Sequence, residues 1–333
     1  MKLTIKDVAK RSGVSVATVS RILNGLEGYT EETKNRVLAV VEELGYQRNA
    51  IARGLVTKST NTIGVLMPSI LTLVYAEIIK AIEEVAHKNN YSVFLCNTGM
   101  NGERTLDYIR VLGERQVDGI IVASLAPKDE YYKAIMDLNK PTMLVSTMSY
   151  KYQIPYVKVD DKQAAYSATQ YLIEKGHKKI AMIAGVKEDP IAGLPRINGY
   201  IEALKDYDIE VEEGLIKYGD FSYNSGKRAM EDLLEEKKKF TAVFAASDDM
   251  AVGALSLAYK KGIRIPEEIS IIGYDNTQIA EMSIPALTVV AQPLYNMGKR
   301  AAENLFNVII HGEKVENIIM PHSIVERESV REI

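Results

Sequence analysis

Tryptophan is absent from the 333 residues and cysteine occurs once, as Cys96. A single thiol builds no intrachain disulfide and no multi-cysteine zinc site, and its place inside an apolar, strand-like run reads as a buried inert side chain. Histidine is scarce: His87, His177, His311 and His322 show no HExxH spacing and no tight metal-ligand grouping, and His177 and His322 read as structural contacts. Gly185, Gly193 and Gly199 lie too far apart for a phosphate-binding loop. No run approaches 18 apolar residues and no apolar signal stretch opens the chain, so neither a membrane span nor export is expected. These absences call for no cofactor and no metal. They also argue against an enzyme: the acidic pair Asp248 and Asp249 after a strand is explained by helix capping.

Neither sign of charge dominates, with 41 Lys and Arg against 44 Asp and Glu for a net of −3. The distribution is uneven, however. Residues 1–60 hold ten Lys/Arg and six Asp/Glu, a net of +4, which leaves −7 for the remainder. A basic head on an acidic body fits a protein that touches nucleic acid with one end. At 333 residues and 47% hydrophobic, the chain is long enough for more than one folded domain.

The head carries the most specific local pattern. Thr4 caps a short helix over Ile5, Val8 and Ala9, with Asp7 placed to close a capping box. Gly13 and Val14 turn the chain, and Ser15 caps a second helix, 16–24. Two short helices joined by a Gly turn read as a helix-turn-helix. In the second helix Val19, Ile22 and Leu23 face a core. Val16, Ala17, Thr18, Ser20 and Arg21 are small or polar residues that let the helix enter a major groove. Arg21 offers a fork to a guanine edge, Val16 and Ala17 suit a thymine methyl, and Thr4, Thr18 and Ser20 supply hydroxyls for phosphates. Ser15 and Asn24, at the helix ends, complete this candidate DNA face. A third helix, 30–44, packs through Val37, Leu38, Val41 and Leu44 and stops at Gly45. Residues 49–56, with Ala52, Arg53 and Leu55, are too short to be helical alone. They suit a duplex minor groove, with Leu55 as the apolar wedge and Arg53 near the backbone.

From Asn61 the pattern alternates short apolar strands with amphipathic helices, which implies parallel sheets covered on both faces. Strands at 62–67, 91–96, 119–123 and 142–146 form a first series. Those at 180–184, 215–218, 242–245 and 269–273 form a second, with helices near 196–207, 222–235 and 249–261. Strand-like 288–291, a helix over 297–310 and extended chain at 318–320 and 323–327 close the sequence. Ligands of such sheets bind at the C-terminal ends of the strands. Asp275 stands at one such end, where a carboxylate accepts sugar hydroxyls, the lesser alternative being that it caps a turn. Arg196 opens a helix and is either a clamp or a surface charge. Tyr75, at the start of a first-series helix, offers a facing wall. Ser247 and Asp248 at the next strand end, Gln292 and Asp189 are further candidates.

Residues 4–24, Thr-Ile-Lys-Asp-Val-Ala-Lys-Arg-Ser-Gly-Val-Ser-Val-Ala-Thr-Val-Ser-Arg-Ile-Leu-Asn, are similar to the head signature of the LacI/GalR family of bacterial transcriptional regulators, and 49–55 resembles its hinge helix. The resemblance extends over essentially the whole chain. It implies an α/β fold: a helix-turn-helix head at 1–48, a hinge helix and linker at 49–60, and two Rossmann-like lobes of the periplasmic-binding-protein type I fold. The first lobe is expected to comprise 61–160 with 291–321 and the second 161–290 with 322–333, the chain crossing three times. It further implies base reading by Val16, Ala17 and Arg21, and insertion of Leu55 into the central step of a pseudo-palindromic operator by two subunits. Asp275, Arg196 and the aromatic Phe221 are implied to contact an effector.

The expected function is therefore a cytoplasmic repressor, nucleoid-associated when bound to DNA, acting as a homodimer on double-stranded operator DNA under allosteric control by a small molecule. A sugar is the expected effector. Asp189 stands near where purine-responsive members of the family carry a base-reading Arg, which weakens that alternative. Catabolite-controlling members, similar across 185–199 and 292–298, use a phosphorylated phosphocarrier protein. Glu303 and Asn307 on the matching helix argue against that partner.

Overall fold

The computed structural model describes residues 3–46, 59–125, 128–236 and 238–333. The chain divides into two compact units, Met1–Thr60 and Asn61–Ile333. The expected hinge residues Ala52, Arg53 and Leu55 lie outside the described residues.

The first unit holds α1 (Ile5–Ser12), α2 (Val16–Leu23) and α3 (Glu31–Glu43). Asp7 Oδ2 accepts from the Thr4 amide at 2.8 Å and from its hydroxyl at 2.7 Å. Gly13 ends α1 at φ +68°, a left-handed position suited to glycine. Ser15 Oγ accepts from the Thr18 amide at 3.0 Å and Thr30 Oγ1 from Thr33 at 3.2 Å, so the second and third helices each begin on a hydroxyl cap. Val8, Ala9, Val19, Ile22, Leu23, Val37 and Val40 form the core. The packing face of α3 differs from the sequence expectation at one position. Leu38 is exposed and Val40 is buried, because 37, 40, 41 and 44 follow the helical stripe while 38 lies about 100° away from 37.

The second unit contains two six-stranded sheets. In order along the chain they use β1 (Thr62–Met67), β2 (Ser92–Asn97), β3 (Gly119–Ala123), β4 (Thr142–Val145), β5 (Tyr156–Val159), β6 (Ile180–Ala184), β7 (Ile216–Tyr218), β8 (Ala242–Ala245), β9 (Ser270–Asp275), β10 (Thr288–Ala291), β11 (Ile318–Met320) and β12 (Ser323–Val325). The first sheet runs β11-β5-β4-β3-β1-β2 and the second β12-β10-β9-β8-β6-β7. Among the described residues every pairing is parallel except β10 with β12. Strands such as β3, β6 and β8 are buried at every position, as expected where helices cover both faces.

The helices are α4 (Leu73–Lys88), α5 (Thr105–Glu114), α6 (Asp129–Asp137), α7 (Asp161–Glu174), α8 (Gly193–Asp206), α9 (Tyr223–Glu235), α10 (Asp248–Lys260), α11 (Gln278–Met282) and α12 (Leu294–Phe306). The chain passes between the sheets after Val159, again through α12, which packs on α4, and finally between Met320 and Ser323. Helices α8 and α12 begin a turn earlier than the sequence suggests. α8 starts at Gly193 rather than Arg196, because Pro195 sits in the first turn, where its missing N–H is tolerated. α12 starts at Leu294 rather than Met297 and gives way to a π-turn, Asn307–His311. β7 is shortened by a 3-10 turn at Glu213–Leu215.

α9 and α10 approach through a glycine pair. A Cβ at Gly253 would lie 2.2 Å from Tyr223 O, and one at Gly226 2.2 Å from Met250 O. Gly253→Ala must therefore push backbone apart, and is expected to destabilise by about 1–3 kcal/mol. The readout is a lower urea midpoint at unchanged slope; an unchanged midpoint would contradict the packing.

Candidate functional site

On the head, α2 presents Ser15, Val16, Ala17 and Arg21 to the outside, with Thr18, Ser20 and Asn24 half-buried beside them and Thr4 exposed at the start of α1. Val16, an apolar residue, stands 41% exposed with no core to serve. The polar groups are held in place: the Ser15 and Thr18 hydroxyls lie 2.8 Å apart, and Asn24 Nδ2 donates to Ser20 Oγ at 3.3 Å. Gly28, at φ +107°, leaves the space the Arg21 fork occupies, since a Cβ there would be 3.0 Å from Nη1. No local sequence pattern links Gly28 to this face.

In the second unit the candidate effector residues collect at the C-terminal edge of one sheet, in strand order. Gln292 follows β10, Asp275 ends β9, Ser247 and Asp248 follow β8, Gly185 follows β6, and Phe221 lies beyond β7. Asp275 is 5% exposed with φ +120°, and its Oδ1 accepts from Gln292 Nε2 at 2.7 Å. Phe221 also adopts a left-handed backbone, φ +65°. Its carbonyl accepts from Ser247 Oγ at 3.1 Å, and the tip of its ring lies against Gly185, where a Cβ would fall 2.0 Å from Cζ. Two non-glycine residues at positive φ around one cleft are backbone strain of the kind found at functional sites.

Arg196 projects from the first turn of α8 into the same space and is buried. Its Nε and Nη2 donate to Asp161 Oδ1 at 3.0 and 2.8 Å, and Nη1 donates to Ala246 O at 2.6 Å. The guanidinium stacks 3.7 Å from the Tyr274 ring centroid and lies 5.7 Å from that of Phe221. From the first lobe comes Tyr75, at the start of α4. Burial raises its hydroxyl to about 12, against a bond with Ser124, and it lies within the fields of Asp275, Asp189 and Arg196. Away from the crossings, Tyr150 Oη donates to Pro190 O at 2.9 Å, joining a first-lobe loop to a second-lobe one.

Three candidates are engaged by their own surroundings. Asp189 accepts from the amides of Ile191, Ala192 and Gly193 and so holds the loop that leads into α8. Ser247 Oγ caps α10 through Met250 N. Asp248 Oδ2 accepts from Thr277 N at 2.7 Å and Oγ1 at 2.9 Å, while Oδ1 is buried with no hydrogen-bond partner among the described residues. Sequence reasoning missed Lys158, Asp161 and Tyr274, which form a buried network with Arg196: Lys158 Nζ donates to Asp161 Oδ2 at 2.9 Å and Tyr274 Oη to Asp161 Oδ1 at 3.3 Å. Asp161 stands next to a helix-capping Asp160, and local pattern does not separate the two.

No group of described residues could hold a metal ion, and no described helix is long and apolar enough to cross a membrane. Burial pushes the Cys96 thiol up to about 12, so it stays protonated. His177 bonds Thr241 and Arg331 O, and His322 bonds Ser167.

Residues 4–49 match the model of the bacterial regulatory proteins, lacI family, and residues 60–328 that of the periplasmic binding proteins and sugar binding domain of LacI family. The chain belongs to the LacI family. It is a sequence-specific DNA-binding transcriptional regulator and not an enzyme. The chain is 39% identical to catabolite control protein A of Priestia megaterium over 333 residues, 99% of this chain and 100% of that protein. It is 38% identical to the transcriptional repressor PurR of Vibrio atlanticus over 331 residues, 98% of each. Among solved structures, a lac repressor dimer bound to operator and the anti-inducer ONPF superimposes with TM-score 0.89 at 27% identity, covering 99% of this chain and 100% of that one.

Burial raises the Asp275 carboxyl from 3.8 to about 7, against the lowering effects of Arg196 and Gln292. The folded LacI-family chain then retains a proton that the unfolded chain has lost between these values. Stability should fall as pH rises from about 4 to 7, by at most ~1.4 kcal/mol per unit, and level off above. Asp275→Asn should remove this slope from the difference between variant and parent urea midpoints measured from pH 4.5 to 8. An identical pH profile in both proteins would contradict the assignment.

Proposed function

We propose that this LacI-family protein is a repressor that binds a pseudo-palindromic operator as a homodimer and is controlled by a neutral sugar held between its lobes. It would work in the cytoplasm, on the nucleoid when DNA-bound. The observation that carries the sugar reading is the donor and acceptor set at the cleft. Asp275 accepts, Gln292 and Arg196 donate, and Phe221 and Tyr75 supply aromatic surface, a combination suited to hydroxyls on an apolar ring face. The buried cations Arg196 and Lys158 are both already engaged by Asp161, which leaves no uncommitted buried positive charge among the described residues for a phosphorylated ligand. The match of residues 60–328 to a sugar-binding domain model supports the same class.

The lobes in this reading are 61–160 with 291–321 and 161–290 with 322–333. A ligand that changes their closure alters the geometry by which paired heads reach DNA. Self-association is supported by apolar side chains left in solvent at Tyr259, 84% exposed, and Ile284, 88% exposed. Base reading is assigned to Val16, Ala17 and Arg21, phosphate contacts to Thr4, Ser15, Thr18, Ser20 and Asn24, and the minor groove to Ala52, Arg53 and Leu55.

The catabolite-control reading keeps one specific support. Glu303 does not stand alone on α12: Lys299 and Arg300 flank it, at 3.8 and 3.5 Å from its carboxylate, the first half-buried and the second exposed. Two cations beside one carboxylate favour an anionic partner on this helix, against the expectation drawn from Glu303 and Asn307 alone.

Fluorescence anisotropy of an operator duplex at fixed salt tests the assignment, with a panel of mono- and disaccharides, their phosphates and purines. A neutral sugar should shift affinity, and Asp275→Ala should abolish that shift while leaving ligand-free binding. Silence to every sugar, with a response to a purine or a phosphorylated carrier protein, would sink the sugar reading. Arg21→Ala should cost about 1–3 kcal/mol on the preferred operator and relax one base position. In sedimentation velocity, Ile284→Asp should shift the protein toward monomer and weaken operator binding in parallel; an unaltered dimer would place the interface elsewhere.

A further inference from the structure

Arg196 is the cation of the cleft, and its orientation is set by one carboxylate. Asp161 Oδ1 takes both Nε and Nη2 of the fork, and the Tyr274 hydroxyl donates to the same oxygen. The other oxygen, Oδ2, accepts from Lys158 Nζ, which also donates to Val159 O at 2.8 Å. All three charged residues are at least nine-tenths buried. They belong to different parts of the unit. Lys158 lies on β5, paired with Val157 and Val159 to either side against β11 in the first sheet, and Asp161 opens α7 immediately after the chain leaves that sheet. Arg196 belongs to α8, which packs on α7.

We propose that Asp161 is the positioning residue of the cleft, a carboxylate that aims the Arg196 fork and ties it to Lys158 at the first crossing between the sheets. Two buried cations share one anion, so neither can move without leaving the other's partner underused in a low-dielectric setting. A ligand oxygen that draws on the remaining N–H donors of Arg196 competes with Asp161 for the same guanidinium. The change in that bond is felt at Oδ2 and therefore at Lys158, three residues away across the crossing. The cleft thus communicates with the point about which the lobes turn through one side chain. This rests on the cleft being the ligand site, as proposed above, but the coupling itself is measurable without any ligand.

The test is hydrogen exchange on the full chain in the absence of ligand. Arg196→Lys keeps the charge and removes the fork. It should speed amide exchange roughly tenfold both in 193–200 and across the crossing at 157–163, the factor that corresponds to about 1.4 kcal/mol of opening free energy. The reciprocal variant Lys158→Met, an apolar residue of similar length chosen so that the fold survives, should speed exchange in 193–200, and Lys158→Arg should restore it. Changes confined to the mutated element would overturn the proposal. So would a uniform rise that includes the distant strand 62–67, since this would mark general destabilisation. Failure of the ligand panel with these exchange patterns intact would reject the sugar reading and leave the coupling standing.

Discussion

A buried charge must be paired, and in this protein the requirement falls on Asp161. Its two oxygens satisfy the guanidinium of Arg196 on one side and the ammonium of Lys158 on the other, with Tyr274 closing the shell. Removing one partner from such a site costs about 3–5 kcal/mol because it leaves a buried charge uncompensated, whereas the intact pair is close to neutral against an apolar replacement. The network therefore adds little net stability while forbidding alternative positions for three side chains. The backbone around it inherits that specificity: the end of β5, the first turns of α7 and α8, and the end of β9 are all held by one carboxylate.

The rest of the candidate site follows from strand direction. Parallel strands bring all their C-terminal ends to one edge, and the second sheet lines up Gln292, Asp275, Ser247 and Gly185 along it. Loops at such an edge must cap the helices that follow, and part of the polar chemistry is consumed in doing so. Asp189 holds the loop into α8, Ser247 caps α10, and Asp248 staples Thr277. What is not consumed in this way is a smaller set, Asp275 with Gln292, the Arg196 fork and the Phe221 ring, with Tyr75 within the fields of Asp275 and Arg196. The positive φ angles at Phe221 and Asp275 show where the loop geometry has been bent to present side chains.

The head meets a different constraint. Its core is seven buried residues on three short helices, too few to leave much choice in packing. Hydroxyl caps at Ser15 and Thr30 and the glycine turn at 13 therefore carry a large share of the local specification. Within that frame α2 turns Val19, Ile22 and Leu23 inward, and the same 3.6-residue period leaves Val16, Ala17 and Arg21 outward.

Local order was legible in the amino-acid sequence because it depends on near neighbours. Caps, turns, the helical stripe of the head and the alternation of buried strands with amphipathic helices are short-range patterns, and the signature at 4–24 identified the family from them. Helix starts were less legible: Arg196 was expected to open α8, which begins at Gly193 and carries Pro195 in its first turn. The candidates Asp275 and Arg196 were recognisable as residues, yet their partners were not. Lys158, Asp161, Arg196 and Tyr274 span more than a hundred positions, and no periodicity relates them. Only the tertiary structure brings them together, because a buried ion pair is decided by which side chains share a low-dielectric space, and distance along the chain carries no information about that.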